Sequence, residues 1–269
     1  MRDLLLIKVG GGKTINWDYI AEDLISYIKK YRIILVHGAS QWRDEIAKQL
    51  GHPTKTLISP SGIESVYTDK KALDILLMVY SGLVNKTIVS ILQKHHINAV
   101  GLSGVDGKLW EGKRKHVVYA KINSKVKLIA DSYTGKVEKI NTKLINLLID
   151  NQFIPVICAP AITYDNEIIN MDNDAASAVM ASSLHIKKMI ILFEASGLLQ
   201  NVNDEKSLIK KINKKEIDSV MEFAKGRMKK KLLGTKYALE NGVEIICYGD
   251  GRIKNPIKNA LDGGGTILS

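Results

Sequence analysis

Cysteine is scarce in this chain of 269 residues, and its scarcity excludes one class of protein. The two cysteines, Cys158 and Cys247, each lie inside an apolar run. Small secreted scaffolds need paired cysteines, whereas isolated thiols in apolar runs are typical of a reducing compartment. We therefore expect no disulfide framework and a cytoplasmic location.

Long apolar runs are also missing. No stretch approaches the roughly 18 consecutive apolar residues that a membrane span requires. Arg2 and Asp3 lead directly into a strand-like run, which is unlike the start of a signal peptide. The sequence therefore predicts neither membrane insertion nor secretion.

Aromatic residues make up only 6% of the chain, and the three tryptophans (Trp17, Trp42 and Trp110) are far apart. Proteins that bind single-stranded nucleic acid stack bases on aromatic side chains beside basic ones. Neither that interleaving nor a recognition motif is present. A basic nucleic-acid binder is therefore the last of the functions considered, and no nucleic-acid partner is expected.

Acidic residues are fewer than basic ones, so the formal net charge is +11. Between Lys108 and Lys127 there are seven basic residues and one acidic residue, and a second basic cluster runs from Lys206 to Lys231. A basic surface favours an acidic partner. A lysine-rich composition alone would give the same count, so at this point both interpretations stay open.

The most informative stretch is the start of the chain. The apolar run Leu4–Val9 has strand length and carries Lys8 near its end, and Gly10-Gly11-Gly12-Lys13-Thr14 follows. Glycines let backbone amides approach a ligand closely, so a lysine beside them suits a phosphate. A P-loop would need glycine at Ile7 and a dinucleotide fingerprint would need glycine at Ile15. A tight turn beside a lysine remains the alternative.

Strands and helices alternate from this point. Trp17–Tyr31 is predicted to be an amphipathic helix, Ile33–Val36 a buried strand and Gln41–Leu50 another helix. This order is typical of a parallel sheet covered by helices. Ligands bind at the carboxyl ends of such strands, so the loops after the first two strands are expected to share one site.

Later segments are less regular. Gly51–Gly62 is predicted to be a loop, and Thr68-Asp69 to cap a long helix from Asp69 to His95. A helix so long and apolar is buried or lies at a subunit interface, which indicates a homodimer. A hairpin is predicted to turn at Asn123-Ser124, and Gly265–Leu268 to be an edge segment.

Two further positions add to the phosphate-binding features at the start of the chain. Asp174, with Asn170 before it, precedes a small-residue helix at Ala175–Leu184, and Lys231 follows a glycine near the start of another helix. Lysines, bare amides and helix N-termini stabilise the spread negative charge of a phosphoryl group in transfer. An aspartate between two lysines would keep both protonated.

In this pattern the chain resembles the amino acid kinase superfamily, close to acetylglutamate kinase, and within it the [LysW]-aminoadipate kinases. The residues that carry the resemblance, in order, are Lys8-Val9-Gly10-Gly11, Val36-His37-Gly38, Thr68-Asp69, the run from Met78 to Lys86, the run from Gly101 to Gly107, Tyr133-Thr134-Gly135, Asn170 with Asp174, and Gly226-Arg227-Met228 followed by Lys231.

The resemblance implies an α/β fold of the carbamate kinase type, a three-layer αβα sandwich with a central, mainly parallel sheet and two lobes. Residues 1–184 would form the N-terminal lobe, with the acceptor site and a dimer interface. Residues 185–269 would form the C-terminal lobe and bind ATP.

The resemblance also implies roles for residues. Lys8 and Lys231 would stabilise the transferring phosphoryl group, and Asp174 would orient both. The implied acceptor-binding residues are Gly11, Gly38, Ala39, Ser65, Val66 and Asn170. The implied nucleotide-binding residues are Gly10, Glu194, Gly197 and Met228. Lys13, which a P-loop would make catalytic, is expected at the rim.

The implied reaction is phosphorylation of a side-chain carboxylate by ATP, with Mg²⁺ arriving on the nucleotide and no metal site on the protein. The acceptor would be 2-aminoadipate, or glutamate, joined to a small acidic LysW-like carrier protein of lysine or arginine biosynthesis. Lys113, Arg114, Lys115 and Lys125 would dock that carrier. The alternatives are a kinase for free N-acetylglutamate and a kinase-fold protein that binds an amino acid or carrier without turnover.

The chain departs from the family pattern in three segments. Ala39 stands where a second glycine is usual, and its methyl group is expected to narrow the acceptor space. Val66 stands where an arginine that would grip the substrate is usual, and Glu64 reverses the expected charge nearby. Phe193-Glu194 replaces the usual hydroxyl residue and aspartate on the nucleotide side.

Overall fold

The computed structural model describes residues 2–122, 125–222, 224 and 226–269. Its strands in chain order are β1 Leu4–Val9, β2 Arg32–His37, β3 Lys55–Ile58, β4 Glu64–Tyr67, β5 Ala99–Ser103, β6 Trp110–Arg114, β7 Val118–Ile122, β8 Lys125–Ile129, β9 Gly135–Ile140, β10 Ile154–Cys158, β11 Ala161–Thr163, β12 Ile168–Ile169, β13 Lys188–Phe193, β14 Lys211–Ile212, β15 Ile245–Asp250 and β16 Thr266–Leu268.

Helices follow most of the strands. In chain order they are α1 Trp17–Ile28, α2 Ser40–Gln49, α3 Lys70–Leu77, α4 Asn85–Lys94, α5 Thr142–Asp150, α6 Asn173–Ser183, α7 Ile217–Met221, α8 Gly226–Glu240 and α9 Pro256–Leu261. A π-helical segment, Met78–Val84, joins α3 to α4.

The centre of the molecule is an eight-stranded sheet with the order β14-β16-β15-β13-β1-β2-β10-β5. Every neighbouring pair is parallel except β15 with β16. β1 is buried along almost its whole length, because a parallel strand covered on both faces needs apolar residues on both. The predicted α/β class and mainly parallel sheet are confirmed.

The connection from β1 leads to β2 on one side, whereas β13 lies on the other side of β1 and leads toward β15. The chain therefore changes direction across the sheet between β1 and β13. In open parallel sheets this switch point leaves a crevice outside the carboxyl ends of the strands. The glycine stretch after β1 and Glu194 after β13 lie at this crevice.

Helices cover the sheet in separate groups. α1 contacts both α4 and α9, and α6 packs along α8. A smaller sheet with the order β12-β11-β6-β9 and two hairpins, β3-β4 and β7-β8, complete the fold. One continuous apolar core joins the sheet to these helices. The proposed boundary between residues 184 and 185 falls between α6 and β13, within this common core, and stays a prediction.

Two expectations for local structure were wrong. The segment 51–62 contains β3, which pairs antiparallel with β4, rather than loop alone. β3 is largely exposed, so it lacks the buried alternation by which a strand is recognised. β16 is not an edge, because β14 pairs with its outer side. β14 is only two residues long and lies in a polar stretch that carries no strand signal.

The predicted hairpin of the basic segment is present as β7 and β8, which pair antiparallel. Its turn at Asn123-Ser124 lies outside the described residues. The hairpin exposes Tyr119, Val126 and Leu128 together with its lysines, while Ala120 is buried. The exposed surface of this basic hairpin is therefore partly apolar.

The predicted long helix runs continuously through Lys70–Lys94, and Asp69 caps it by accepting the amide of Ala72 at 2.8 Å. By length and composition alone this helix could cross a membrane, although 44% of its most apolar window is buried. Asp74, Asn85 and Lys86 interrupt its apolar sequence, so the expectation of no uninterrupted apolar run of that length still holds, and the absence of membrane insertion stays a prediction. Its buried side packs in the core, where Leu76 and Ile88 are almost inaccessible.

A buried polar contact joins this helix to the end of β2. Asn85 donates through Nδ2 to the carbonyl of Val156 at 2.9 Å and contacts His37 Nε2 at 3.0 Å. Burial lowers the pKa of His37 to about 4, so the imidazole is neutral and its Nε2 accepts the bond from Asn85. His37 is therefore held in the core by hydrogen bonds, as a structural histidine is.

We predict that Asn85→Leu lowers the free energy of unfolding by about 2–4 kcal/mol, because it leaves a buried ring nitrogen and a buried carbonyl without their donor. Urea titration followed by circular dichroism measures the change. Ser90→Ala, at an exposed position of the same helix, should change it by less than about 0.5 kcal/mol. Equal stability of the two variants would contradict the structural role of Asn85.

Candidate functional site

The site is built around one carboxylate held between two lysines. Lys8 Nζ lies 2.6 Å from Asp174 Oδ1, and Lys231 Nζ lies 3.3 Å from Asp174 Oδ2. Lys8 comes from the end of β1, Asp174 from the first turn of α6 and Lys231 from the first half of α8. The structure thus brings together three residues that lie far apart in the sequence.

Burial and mutual charge set the protonation of this cluster. Burial opposes the charge of Asp174, but the two ammonium groups outweigh it and hold the pKa of the carboxyl far below its usual range. Burial also opposes the charge of Lys8, yet the contact with Asp174 raises its pKa above the usual value. Burial and the charge of Lys8 lower the pKa of Lys231 to about 8. Lys231 is therefore the member that changes charge near neutral pH.

The glycine stretch after β1 packs against the start of α2. A side chain at Gly11 would collide with the backbone, because its Cβ would lie 2.4 Å from the nitrogen of Ser40 and 2.5 Å from that of Ala39. Only glycine allows this approach. The residue before α2, Ala39, offers no side-chain acceptor to the first turn of the helix. The Gln41 amide in the first turn of α2 donates to the carbonyl of Gly11 at 3.0 Å, and the positive end of the helix dipole lies beside the glycine stretch, which suits an anion there.

Backbone hydrogen bonds decide which amides remain for a ligand. Gly10 donates to Leu192 O at 2.8 Å, and Gly38 donates to Val9 O at 2.9 Å. Both amides are thus used within the protein, and the implied contact of Gly38 with the acceptor stays a prediction. Among the described residues, the amides of Gly11 and Gly12 have no protein acceptor.

The glycine stretch and the start of α2 form one wall of the site, and the turn before α6 forms the opposite wall. Asp172 caps α6 by accepting the amides of Asp174 and Ala175 at 2.9 and 3.1 Å. Asn173 donates to the carbonyl of His37 at 3.2 Å, which ties this turn to the loop after β2. Through these bonds Asp174 has a fixed position relative to the glycine stretch.

Asn170 lies on the same wall, in the short segment between β12 and α6. Its Nδ2 donates to Thr68 Oγ1 at 2.8 Å, and its backbone amide donates to Tyr133 O at 2.8 Å. Thr68 stands at the start of the long helix, and Thr134 pairs with Asn170 as an isolated bridge. The motifs Thr68-Asp69, Tyr133-Thr134-Gly135 and Asn170 with Asp174 thus meet at Asn170.

A cavity of about 950 Å³ opens between these walls. The predicted site residues that line it are Lys8, Gly10, Gly11, Gly38, Ser65, Val66, Asn170, Asp174, Glu194, Met228 and Lys231. Acceptor-side and nucleotide-side predictions therefore converge on a single space, which is large enough for two substrates.

Two predicted residues do not line this cavity. Ala39 is completely buried and belongs to the apolar core, so its methyl group does not narrow the acceptor space as expected. Gly197 packs against Thr266, whose hydroxyl would lie 2.6 Å from a Cβ at that position. It supports the loop after β13 from behind rather than facing the cavity.

Glu194 closes the glycine stretch. Its carboxylate accepts bonds from the backbone amide of Thr14 at 3.2 Å and from Gln41 Nε2 at 2.7 Å, and also contacts the Thr14 hydroxyl. A side chain at Gly12 would overlap this carboxylate. Glu194 therefore holds the loop to α2, and its predicted contact with a nucleotide stays a prediction. Lys13 pairs with Glu45 at the rim, as expected.

The four basic residues predicted to dock a carrier are not equivalent. Lys115 lines the mouth of the cavity. Lys113 pairs with Glu138 at 3.3 Å, and Arg114 pairs with Glu167 at 3.2 Å and lies over the ring of Tyr133. Lys125 lies on β8, exposed. Docking by these residues stays a prediction, carried most directly by Lys115 and Lys125.

Sequence reasoning missed three cations that border the cavity, namely Arg43, Lys136 and Lys230. Arg43 from α2 is buried, and Lys230 from α8 lies 3.6 Å from Asp172 Oδ2. The signal for Arg43 was its helical spacing from Ser40, because residues three apart share one side of a helix. Lys230 was hidden in the run Lys229-Lys230-Lys231, where nothing in the sequence distinguishes one lysine from the next.

Comparisons with known proteins identify the family and several relatives of this chain. A family model described as "Amino acid kinase family" matches residues 3–248. A "[LysW]-aminoadipate kinase" of Thermus thermophilus is 41% identical over 268 residues, which cover 98% of this chain and 100% of that protein. A protein of the same name from Deinococcus radiodurans is 43% identical, covering 99% of this chain and 92% of its own length.

A more distant relative carries a broader name. A "[LysW]-aminoadipate/[LysW]-glutamate kinase" of Sulfolobus acidocaldarius is 31% identical over 273 residues, covering 98% of this chain and 100% of that protein. The names of these relatives thus include two different acceptor amino acids.

Solved structures share the fold at low sequence identity. The N-acetylglutamate synthase of Neisseria gonorrhoeae superposes with a TM-score of 0.80 at 22% identity, and this chain covers 60% of that longer protein. The carbamate kinase of Giardia lamblia bound to AMP-PNP gives a TM-score of 0.67 at 14% identity, with 99% of this chain and 98% of that one covered. At such identities the likeness concerns the fold alone.

We predict that Lys231 titrates near pH 8, well below the usual 10.5 for lysine, in NMR spectra that resolve its side-chain amine. Asp174→Asn should lower the pKa of both Lys8 and Lys231, because it removes the negative charge that favours their protonated forms. A Lys231 that titrates above pH ~10, the ordinary lysine range, would contradict the burial and charge coupling of the cluster.

Proposed function

The chain belongs to the amino acid kinase family, and from that premise we propose that it transfers the γ-phosphoryl group of ATP to the side-chain carboxylate of 2-aminoadipate carried by an acidic LysW-like protein. The product would be an acyl phosphate of lysine biosynthesis. The observation that carries the proposal is the Lys8–Asp174–Lys231 cluster at the end of the glycine stretch. Identity above 40% to two proteins named for this activity supports the choice of acceptor.

The reaction needs little covalent help from the protein. A carboxylate oxygen of the acceptor attacks the γ-phosphorus, the bond to the bridging oxygen breaks, and ADP leaves with that electron pair. The acceptor is already ionised at neutral pH, so no proton has to be removed. What remains for the protein is to position the two substrates and to stabilise the charge that spreads over the phosphoryl oxygens.

In this proposal each group has a part in that task. Lys8 and the Gly11 amide would contact the acceptor end of the transferring group, and Lys231, which borders the same cavity as Met228, would contact the nucleotide end. Asp174 keeps Lys8 protonated and fixes both lysines, as its hydrogen bonds to them indicate. Asn170, held by Thr68, would contact the amino-acid part of the acceptor.

Magnesium would arrive with ATP and be held by its phosphate oxygens. The two carboxylates beside the glycine stretch, Asp174 and Glu194, are both engaged by protein donors. They are therefore poor candidates for a resident metal site, whereas the cations and amides of the cavity fit phosphate groups.

The carrier would approach over the exposed basic residues at the mouth of the cavity. Lys115 and Lys136 border the cavity and are exposed, and Lys125 extends the basic surface onto the β7-β8 hairpin. Electrostatic attraction of this kind raises the rate of encounter with an acidic protein and aligns it. We include a cytoplasmic location, a homodimer through the helix at Lys70–Lys94, and the division into residues 1–184 and 185–269 in the proposal.

A second acceptor is favoured by one observation. The relative from Sulfolobus acidocaldarius is named for both aminoadipate and glutamate on the carrier. Carrier-bound glutamate, which would lead toward arginine, is therefore the second candidate acceptor. Free N-acetylglutamate and a binding role without turnover remain as outcomes of the experiment.

We predict that hydroxamate forms when the enzyme is incubated with MgATP, hydroxylamine and the carrier bearing aminoadipate, and not with free N-acetylglutamate. Lys8→Met should lower kcat by roughly 10²–10³, because it removes one preorganised charge from the transition state. Lys13→Met, which removes a rim lysine from the same loop, should retain nearly full turnover.

Three outcomes would contradict the proposal. Hydroxamate that forms with free N-acetylglutamate and with no carrier-bound acceptor would indicate a kinase for free N-acetylglutamate. ATP binding without ADP release on any acceptor would indicate a binding protein. Full turnover by Lys8→Met would remove the proposed catalytic role of the cluster.

We also predict that kcat/KM for ATP falls as the pH rises through about 8, because the charged form of Lys231 is present only below its lowered pKa. The loss should approach tenfold per pH unit, as expected for one essential proton on the free enzyme. Lys231→Arg keeps its charge throughout, so its lower activity should be flat over the same range. A wild-type profile that is flat to pH ~10, the ordinary lysine range, would contradict this role.

A further inference from the structure

Arg43 is a buried cation on the wall of the cavity. It is 7% exposed, yet it borders the cavity beside Ser40, Ser65 and Val66. Burying a guanidinium is unfavourable unless anions meet it. A buried arginine at the edge of a substrate cavity therefore needs an explanation.

One anion is supplied by the next residue. Arg43 donates through Nε at 3.1 Å and through Nη2 at 2.6 Å to Oδ1 of Asp44, and the same oxygen accepts the hydroxyl of Thr54 at 2.7 Å. These bonds fix the orientation of the guanidinium before any ligand arrives. A guanidinium has five N–H donors in a planar fork, so donors remain for a second carboxylate.

The position of Arg43 on α2 relates it to the reacting centre. Ser40 and Arg43 lie three residues apart and both border the cavity, so they share one side of the helix. The Ser40 nitrogen lies against Gly11, where the phosphorylated carboxylate is proposed to bind. The rise of an α-helix places Arg43 about 4.5 Å further along this wall.

The other cations that border the cavity are suited to different partners. Lys8 and Lys231 share Asp174, and Lys230 lies near Asp172. Lys115 and Lys136 are exposed at the mouth, where a carrier would arrive. Among the cavity cations described, Arg43 combines burial, fixed orientation and unused donors away from the phosphoryl site.

The acceptor of the proposed reaction has a second carboxylate. Aminoadipate keeps its α-carboxylate free when its amino group is joined to the carrier, and several carbon atoms separate this group from the carboxylate that is phosphorylated. A residue that holds the α-carboxylate would orient the whole side chain toward Lys8. Val66, which borders the same part of the cavity, has no polar group for that task.

From this arrangement we infer that Arg43 binds the α-carboxylate of the acceptor amino acid and is the residue that makes the enzyme require it. The inference rests on the proposed function, since it takes a carrier-bound amino dicarboxylic acid as the acceptor. Arg43 thus acts in acceptor recognition, and ATP binding is independent of it.

The experiment compares two acceptors on two enzymes. The carrier is loaded either with aminoadipate or with aminoadipate whose α-carboxylate is converted to a carboxamide, so that the reacting carboxylate is unchanged. For the wild type, kcat/KM should fall about 10- to 100-fold on the carboxamide, the size expected for losing charge-assisted hydrogen bonds. For Arg43→Met, the two acceptors should differ by less than about threefold, because the recognising group is absent.

Controls separate recognition from a structural role. KM for ATP and the melting temperature of Arg43→Met should stay close to the wild-type values. Lys48→Met removes a positive charge from the exposed end of the same helix and should keep the full preference for the carboxylate. If Arg43→Met does not fold, Arg43→Lys gives the same comparison and should show an intermediate preference, because an ammonium cannot make the parallel pair of bonds.

Each outcome decides a different claim. A wild type that phosphorylates the carrier-bound acceptor, with an Arg43→Met variant that still rejects the carboxamide, overturns the role of Arg43 alone. Equal losses of both acceptors and of ATP affinity would assign Arg43 a structural role instead. A wild type that phosphorylates no carrier-bound acceptor overturns the proposed function and this inference with it.

Discussion

The ion pairs of Asp174 with Lys8 and Lys231 are the interaction on which the site depends. Two buried ammonium groups would repel each other, and neither would remain charged without the carboxylate between them. Removing one partner from such a buried cluster typically destabilises a protein by about 3–5 kcal/mol. Because its three members come from β1, α6 and α8, the cluster also requires that these elements keep their relative positions. The charge of the cluster and the tertiary order of the chain are therefore coupled at this point.

The residues around the cluster also hold its members in fixed positions. Gly11 lets the loop after β1 lie against the N-terminus of α2, and Glu194 holds that loop from the other side of the crevice. Asp172 and Asn173 fix the turn that presents Asp174. Each contact crosses between segments that are distant in the chain, so the cavity is shaped before a substrate enters. Preorganised charges of this kind stabilise a transition state without rearrangement during the reaction.

Much of the architecture was predictable because its signals are local. The run at Leu4–Val9 is apolar except for Lys8, as a central parallel strand requires, and the cap at Asp69 marks a helix start by its own chemistry. The errors arose where burial depends on distant partners. β3 and β14 are short and polar, so they are strands only because β4 and β16 pair with them. Ala39 was placed at the acceptor because the sequence does not reveal that its methyl group points into the core.

The sequence by itself determined the fold class, the family and the identity of Lys8, Asp174 and Lys231 as a set, because an ordered series of short motifs is specific even when each motif is weak. Only the tertiary structure decided which charges meet. In the folded chain the amides of Gly10 and Gly38 donate to strand carbonyls, and Glu194 holds the glycine loop by hydrogen bonds. Arg43 lies on the cavity wall although it belongs to no recognisable sequence motif. The physical reason is that hydrogen-bond partners and burial are properties of the packed chain, whereas residue types and their spacing are properties of the sequence.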